Sequence, residues 1–184
     1  VSDHVDGFKV GYPLILENGI SVVDEISKFG SVIVDIKIAD IPNTNRIIAK
    51  IIKKHRVDGI IAHGFVGSDS IRSLVEEFSP GDVYSVAEMS HPGAIEFMQK
   101  NGIEIAKKSI ENGVKGLIVP GTRPERIKIY RENFPHVLIF SPGIGAQGGD
   151  ARKAFENGSD YIIVGRSIYE SKDPVGVINK IKKL

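Results

Sequence analysis

Short apolar runs recur along all 184 residues, each followed by an amphipathic stretch, and this alternation restricts the possible folds more than anything else in the chain. The strand candidates are Phe8–Tyr12, Val32–Ile38, Gly59–Phe65, Val83–Met89, Gly116–Pro120, Val137–Ser141 and Tyr161–Arg166. Runs of this length between turn residues suit strands covered on both faces. The stretches between them carry helical spacing. Ile47, Ile48, Ile51 and Ile52 form one apolar face with Lys50, Lys53 and Lys54 opposite. Ile103, Ala106 and Ile110 repeat the spacing, as do Val177, Ile178 and Ile181. Repeating β-α units with short loops give a parallel sheet, either doubly wound or closed as a barrel.

Polar residues at the strand ends separate these two. Lys9, Lys37, His63, Ser90, Pro142 and Arg166 sit at or just after the C-terminal ends of six different strands. A barrel gathers such residues around one mouth, whereas an open sheet gathers them at one switch point. The expected fold is therefore α/β, a (β/α)8 TIM barrel forming one domain over residues 1–184. Only seven strands are found. Val1–Asp6 looks like the end of a helix leading into a strand, so the first strand and most of the first helix are expected to be absent from this sequence. A barrel lacking a strand exposes two edges, and the chain expressed alone is expected to be poorly soluble.

Composition narrows the partners. With 24 basic and 23 acidic residues the net charge is +1, which offers no field for nucleic acid or a lipid surface. Lys53–Lys54 and the Lys180–Lys183 tail read as solvated helix faces. There is no cysteine, hence no disulfide framework, thiol nucleophile or cysteine-based metal site. No apolar run approaches membrane-spanning length and no signal-peptide pattern opens the chain, so a soluble, cytoplasmic protein is expected.

The chemistry concentrates in Asp35–Thr44. Strand alternation puts Asp35 and Lys37 on one side of the backbone, about 7 Å apart, and Asp40 falls just beyond the strand. Charges at the end of a core strand are costly unless they serve each other or a ligand. A lone D-x-K reads as a structural ion pair, but Lys9 inside Phe8-Lys-Val-Gly-Tyr12 extends it to an alternating charged array. Ser141–Gly149 holds a G-x-G-x-x-G match at Gly143, Gly145 and Gly148. A dinucleotide fingerprint would need an acidic residue after the next strand, and Val164-Gly-Arg-Ser167 has none. Phosphate fits better, with Gly-rich backbone, Gln147 and Arg166 as donors near the barrel's last strands. Ser90 either caps the next helix or hydrogen-bonds a ligand. His63 reads as a satisfied core histidine, and no two histidines have metal-ligand spacing.

With these residues in hand, the chain resembles the orotidine 5′-monophosphate decarboxylase family, most like its short archaeal type. Six blocks match in order: Lys9–Pro13 (K-V-G-Y-P), Asp35–Thr44 (D-x-K-x-x-D-I-P-x-T), Glu88–Gly93 (E-M-S-H-P-G), Thr122–Arg126 (T-R-P-E-R), Ser141–Gly149 (S-P-G-I-G-A-Q-G-G) and Val164–Tyr169 (V-G-R-S-I-Y). The resemblance implies a carboxy-lyase that converts orotidine 5′-monophosphate to uridine 5′-monophosphate in pyrimidine synthesis, without metal or organic cofactor. Lys37 is then the proton donor to C6, Asp35 lies against the departing carboxylate, and Lys9 and Asp40 complete the array. It further implies a homodimer in which Asp40 and Thr44 reach the neighbouring site. Ser90 would bind the pyrimidine and Gln147 and Arg166 the phosphate, with Pro142 in the closing loop; Ile41 and Gly165 would also line the substrate. The family's first strand ordinarily ends in a ribose-contacting aspartate that has no counterpart here.

Two other readings stand beside it. Metal-dependent relatives, such as hexulose-phosphate synthases or keto-gulonate-phosphate decarboxylases, share D-x-K-x-x-D. They carry a glutamate metal ligand on the second strand where this chain has Lys9, a cation that repels a divalent ion. The other reading is a non-catalytic nucleotide-phosphate binder.

Overall fold

A computed structural model describes residues 1–183. Seven strands form one all-parallel sheet whose spatial order is the chain order: β1 (Phe8–Gly11), β2 (Val32–Ile38), β3 (Gly59–His63), β4 (Asp82–Val86), β5 (Gly116–Ile118), β6 (Leu138–Pro142) and β7 (Tyr161–Ile163). The crossovers are α1 (Tyr12–Asn18), α2 (Val22–Ile26), α3 (Pro42–Ile52), α4 (Ser68–Phe78), α5 (Ala94–Glu111), α6 (Pro124–Asn133) and α7 (Ala151–Glu156), with α8 (Arg166–Tyr169) and α9 (Pro174–Lys182) after β7. The sheet curls into a barrel whose edge strands are β1 and β7.

Alternation along each strand sorts the apolar residues into two cores. Outward residues Val10, Val34, Ile60, Val83, Leu117 and Ile139 pack with Ala49, Leu74, Ala106 and Ile127 of the helices. Inward residues Ile33, Ile61, Tyr84, Val86, Ile118 and Phe140 fill the barrel. Each fully buried aliphatic side chain contributes about 1.5–3 kcal/mol, so the larger outer core supplies most of the apolar stabilisation. Inside, the Tyr84 ring lies 4.8 Å from Phe140, which stacks 4.8 Å from Tyr161. Glycines on both neighbouring strands make room for it: a Cβ at Gly59 would lie 2.6 Å from the Tyr84 ring, and one at Gly116 3.1 Å from it.

The expected strands are all present, but several end earlier than their apolar runs. Tyr12 opens α1, Phe65 lies in a 3-10 turn, and residues 87–89 form a loop. Ala87 and Met89 in these ends still pack on the cores without joining the ladder. Residues 2–4 form a single 3-10 turn. On α3 the apolar face is wider than the buried stripe: Ala49 and Ile52 are buried, while Ile47 and Ile51 are about half exposed. No helix among the described residues is long and apolar enough to cross a membrane.

Candidate active site

The barrel mouth is built from the residues that follow, or end, the strands. On β1, Gly11 pairs with Asp35 of β2, and the Lys9 side chain runs past Gly11 toward it. Lys9 Nζ lies 3.0 Å from Asp35 Oδ2, and Lys37 Nζ donates to Oδ1 at 2.9 Å and Oδ2 at 3.0 Å. Asp35 is 7% exposed, whereas both lysine side chains keep about a third of their surface open to the mouth. One carboxylate facing two ammonium groups leaves a local surplus of positive charge, which favours an anionic ligand.

Lys37 reaches Asp35 through an irregular backbone. The β2–β3 register shifts between Val34 and Ile38, and Lys37 has φ 45°, in left-handed space. Such a conformation costs a non-glycine residue roughly 1–2 kcal/mol. Sites of this kind concentrate where a side chain must be aimed for function.

Asp40 lies apart from this cluster. It is exposed, its Oδ1 accepts from the Ile41 N–H at 2.7 Å, and its carbonyl accepts from the Ser70 hydroxyl at 2.8 Å. It enters none of the ion pairs found among the described residues. Ile41 caps α3 and is 64% exposed, Pro42 takes the first helical position that its missing N–H suits, and Thr44 follows half-buried.

The Gly-rich loop leaves β6 at Pro142. Gly143, Gly145 and Gly148 all have positive φ (94°, 73° and 88°), and the loop closes on itself through Gly149 N–H to Gly143 O at 3.0 Å and Gly145 N–H to Gly149 O at 2.9 Å. Only glycine fits at Gly143: a Cβ there would lie 2.9 Å from Thr122 Cγ2 and 3.1 Å from Ser90 Cβ. The Ser90 hydroxyl donates to Gln147 Oε1 at 2.8 Å, and the Ala146 N–H donates to Ser167 Oγ at 3.0 Å. Gly165 caps α8, and Arg166, its first residue, is exposed. The fold thus brings Ser90, Gln147 and the start of α8 to one loop cluster, and Lys9, Asp35 and Lys37 to another, both on the C-terminal side of the barrel.

His63 corrects the sequence reading, because its buried Nδ1 has no hydrogen-bond partner. It ends β3, its ring lies 4.7 Å from Phe65, and burial followed by the charge of Lys37 lowers its pKa, with Asp35 opposing. The sequence also gave no role to Glu88, whose fully buried carboxylate meets Arg126 Nε at 2.9 Å and Arg123 Nη2 at 3.2 Å. The only hint was a carboxylate at the end of an apolar strand. Among the described residues no group of three or more His, Asp or Glu converges to hold a metal, and both oxygens of Asp35 are occupied by ammonium groups.

Known proteins match the chain almost end to end. The model of the orotidine 5′-phosphate decarboxylase / HUMPS family matches residues 1–181. The orotidine 5′-phosphate decarboxylase of Methanococcoides burtonii is 49% identical, covering 98% of this chain and 86% of that protein. That of Methanosarcina mazei is 48% identical, with coverages of 95% and 80%. The crystal structure of the Methanocaldococcus jannaschii enzyme, complexed with inhibitor BMP, is 42% identical and superposes with a TM-score of 0.94 over 100% of this chain and 87% of that one. The Pyrococcus horikoshii enzyme gives 0.90 at 42% identity, with coverages of 98% and 87%. Sequence blocks, barrel and mouth thus agree: the chain belongs to the orotidine 5′-phosphate decarboxylase / HUMPS family.

Proposed function

We propose that this chain decarboxylates orotidine 5′-monophosphate to uridine 5′-monophosphate in pyrimidine synthesis, using side chains alone. The observation that carries this reading is Asp35 held between Lys9 and Lys37 at the barrel mouth. Relatives that align over nearly the whole chain bear the decarboxylase name.

The reaction breaks the bond between C6 and its carboxylate. Carbon dioxide departs, the bonding pair stays on C6, and the Lys37 ammonium supplies the proton that converts this carbanion-like centre to C6–H. Asp35 sits against the departing carboxylate and aims Lys37, while Lys9 balances the second carboxylate charge. A preorganised array of fixed charges stabilises developing charge without solvent reorganisation. Ser90 binds the pyrimidine, and Gln147, Arg166 and the backbone around Pro142 and Gly165 bind the phosphate. Binding energy from that remote phosphate assists closure of the site, so truncated substrates lose turnover as well as affinity.

Asp40 and Thr44 act in a neighbouring copy in this reading, and Ile41 lines the substrate. Ile41, Ile47, Ile51 and Phe65 are each about half exposed or more in the single chain, a surface that a homodimer would cover. Metal-dependent members of the family are disfavoured because Lys9 adds positive charge beside Asp35.

The test is loss of orotidylate absorbance on adding purified protein in excess chelator. Turnover unaffected by chelation is the expected result. Complete inhibition would favour the metal-dependent relatives, and tight nucleotide binding without turnover would favour a binder.

A further inference from the structure

Glu88 is the most deeply buried charged side chain that the proposed reaction leaves unused, with none of its surface exposed. It lies two residues past β4 and is met by three groups around α6. Arg126 Nε lies 2.9 Å from Oε2, Arg123 Nη2 lies 3.2 Å from Oε1, and the Tyr130 hydroxyl donates to Oε2 at 3.4 Å. Burial pulls the Arg126 pKa down, but the hydrogen bond and charge of Glu88 outweigh it, so Arg126 stays firmly cationic.

A buried ion pair is weak evidence of stabilisation, since apolar residues of similar volume often serve as well. The geometry here is also not the one that would pair most strongly. Arg123 Nε and Glu88 Oε1 are both buried without a hydrogen-bond partner, and a two-pronged arginine–carboxylate arrangement would satisfy them. Arg123 instead directs Nη2 to the Met89 carbonyl as well as to Glu88. The next carbonyl, that of Ser90, accepts from the Thr122 hydroxyl at 3.1 Å, and the Ser90 hydroxyl donates to Gln147. The Met89–Ser90 backbone is therefore held from one side by residues 122–123, and Ser90 is aimed from there into the mouth.

We infer that Glu88 is a positioning residue: by seating Arg123, it fixes the Met89–Ser90 segment and thereby sets the pyrimidine contact. This rests on Ser90 being that contact, as proposed above. Charge burial at Glu88 then serves aim rather than stability, and its effect falls first on the base-recognition side of the site, with phosphate binding left to Arg166 and the Gly-rich backbone as well as Gln147.

Two variants of the full chain test it, with uridine 5′-monophosphate and ribose 5-phosphate as calorimetric probes and decarboxylation measured alongside. Glu88→Gln keeps the shape and removes the charge. Arg123→Lys keeps a cation for Glu88 but ends one bond short of the Nη2 that also reaches Met89, and it carries the test alone if Glu88→Gln melts below the assay temperature. Affinity for uridine 5′-monophosphate is expected to fall about tenfold, with ribose 5-phosphate unchanged within twofold. Equal losses for both probes, or no loss for either, would overturn the inference. A wild-type chain that binds both probes without decarboxylating would refute only the proposed reaction; one that binds neither would overturn both.

Discussion

Lys37 Nζ contacts both carboxylate oxygens of Asp35, two residues earlier on the same strand. In a regular strand side chains at this spacing stand about 7 Å apart. The flexible Lys37 stem spans that distance, and the contact coincides with a shifted register before Ile38 and a left-handed backbone at Lys37. The proposed proton donor is thus held on Asp35 before any ligand arrives.

Replacing Lys37 separates chemistry from strain. Lys37→Ala and Lys37→Gly are both expected to abolish decarboxylation while still binding uridine 5′-monophosphate. Glycine suits φ 45° and alanine does not, so the glycine variant should be the more stable by about 1 kcal/mol in denaturant titrations. Substantial residual turnover in either would remove Lys37 from the donor role.

His63 should make stability fall on the acid side of neutrality. Burial and the Lys37 charge hold its folded pKa below 6.5. As pH drops through the ordinary histidine range the unfolded chain takes up a proton that the folded one resists, so this contribution is full above 6.5 and is lost toward the lowered pKa. His63→Phe removes the titration. The wild type should lose melting temperature relative to that variant between pH 7.5 and 5.5, and a constant gap would refute the assignment.

At the opposite end of the barrel, Asp24 accepts from the His55 ring at 2.8 Å and from the Arg56 N–H at 2.9 Å. The His55 hydrogen bond, then that of Arg56, depress its pKa below 3.8. A depressed carboxylate stabilises the fold above its unfolded pKa and loses that effect as pH falls through the folded one. Asp24→Asn should therefore melt below the wild type at pH 7, with the difference shrinking below pH 4.

Gly59→Ala probes the barrel interior. The added methyl would stand 2.6 Å from the Tyr84 ring, which is itself packed on Phe140. Overpacking of this kind costs about 1–3 kcal/mol, and thermal denaturation should register it. A neutral effect would mean that the ring shifts freely.

The strands were legible because each apolar run is bounded by turn residues, and the barrel because polar residues end six of them. Their C-terminal limits were not, since apolar residues such as Ala87 and Met89 pack on the cores outside the ladder as well as within it. The bulge at Lys37 leaves no trace among its isoleucine neighbours. Ile47 and Ile51 have the same spacing as the buried Ile52 side of α3, so periodicity alone could not tell a buried face from an open one. Glu88 escaped notice because Arg123 and Arg126 lie more than thirty residues away, and only folding makes them neighbours.

Spatial order follows chain order, so the first and last strands occupy separate parts of the barrel. The charged cluster belongs to β1 and β2, whereas the Gly-rich loop and Arg166 follow β6 and β7. On the proposed reading, a lineage could rewrite its chemistry in the first strands while inheriting the same handle for phosphorylated substrates from the last. A family whose name spans decarboxylases and HUMPS members is what such modular inheritance would produce.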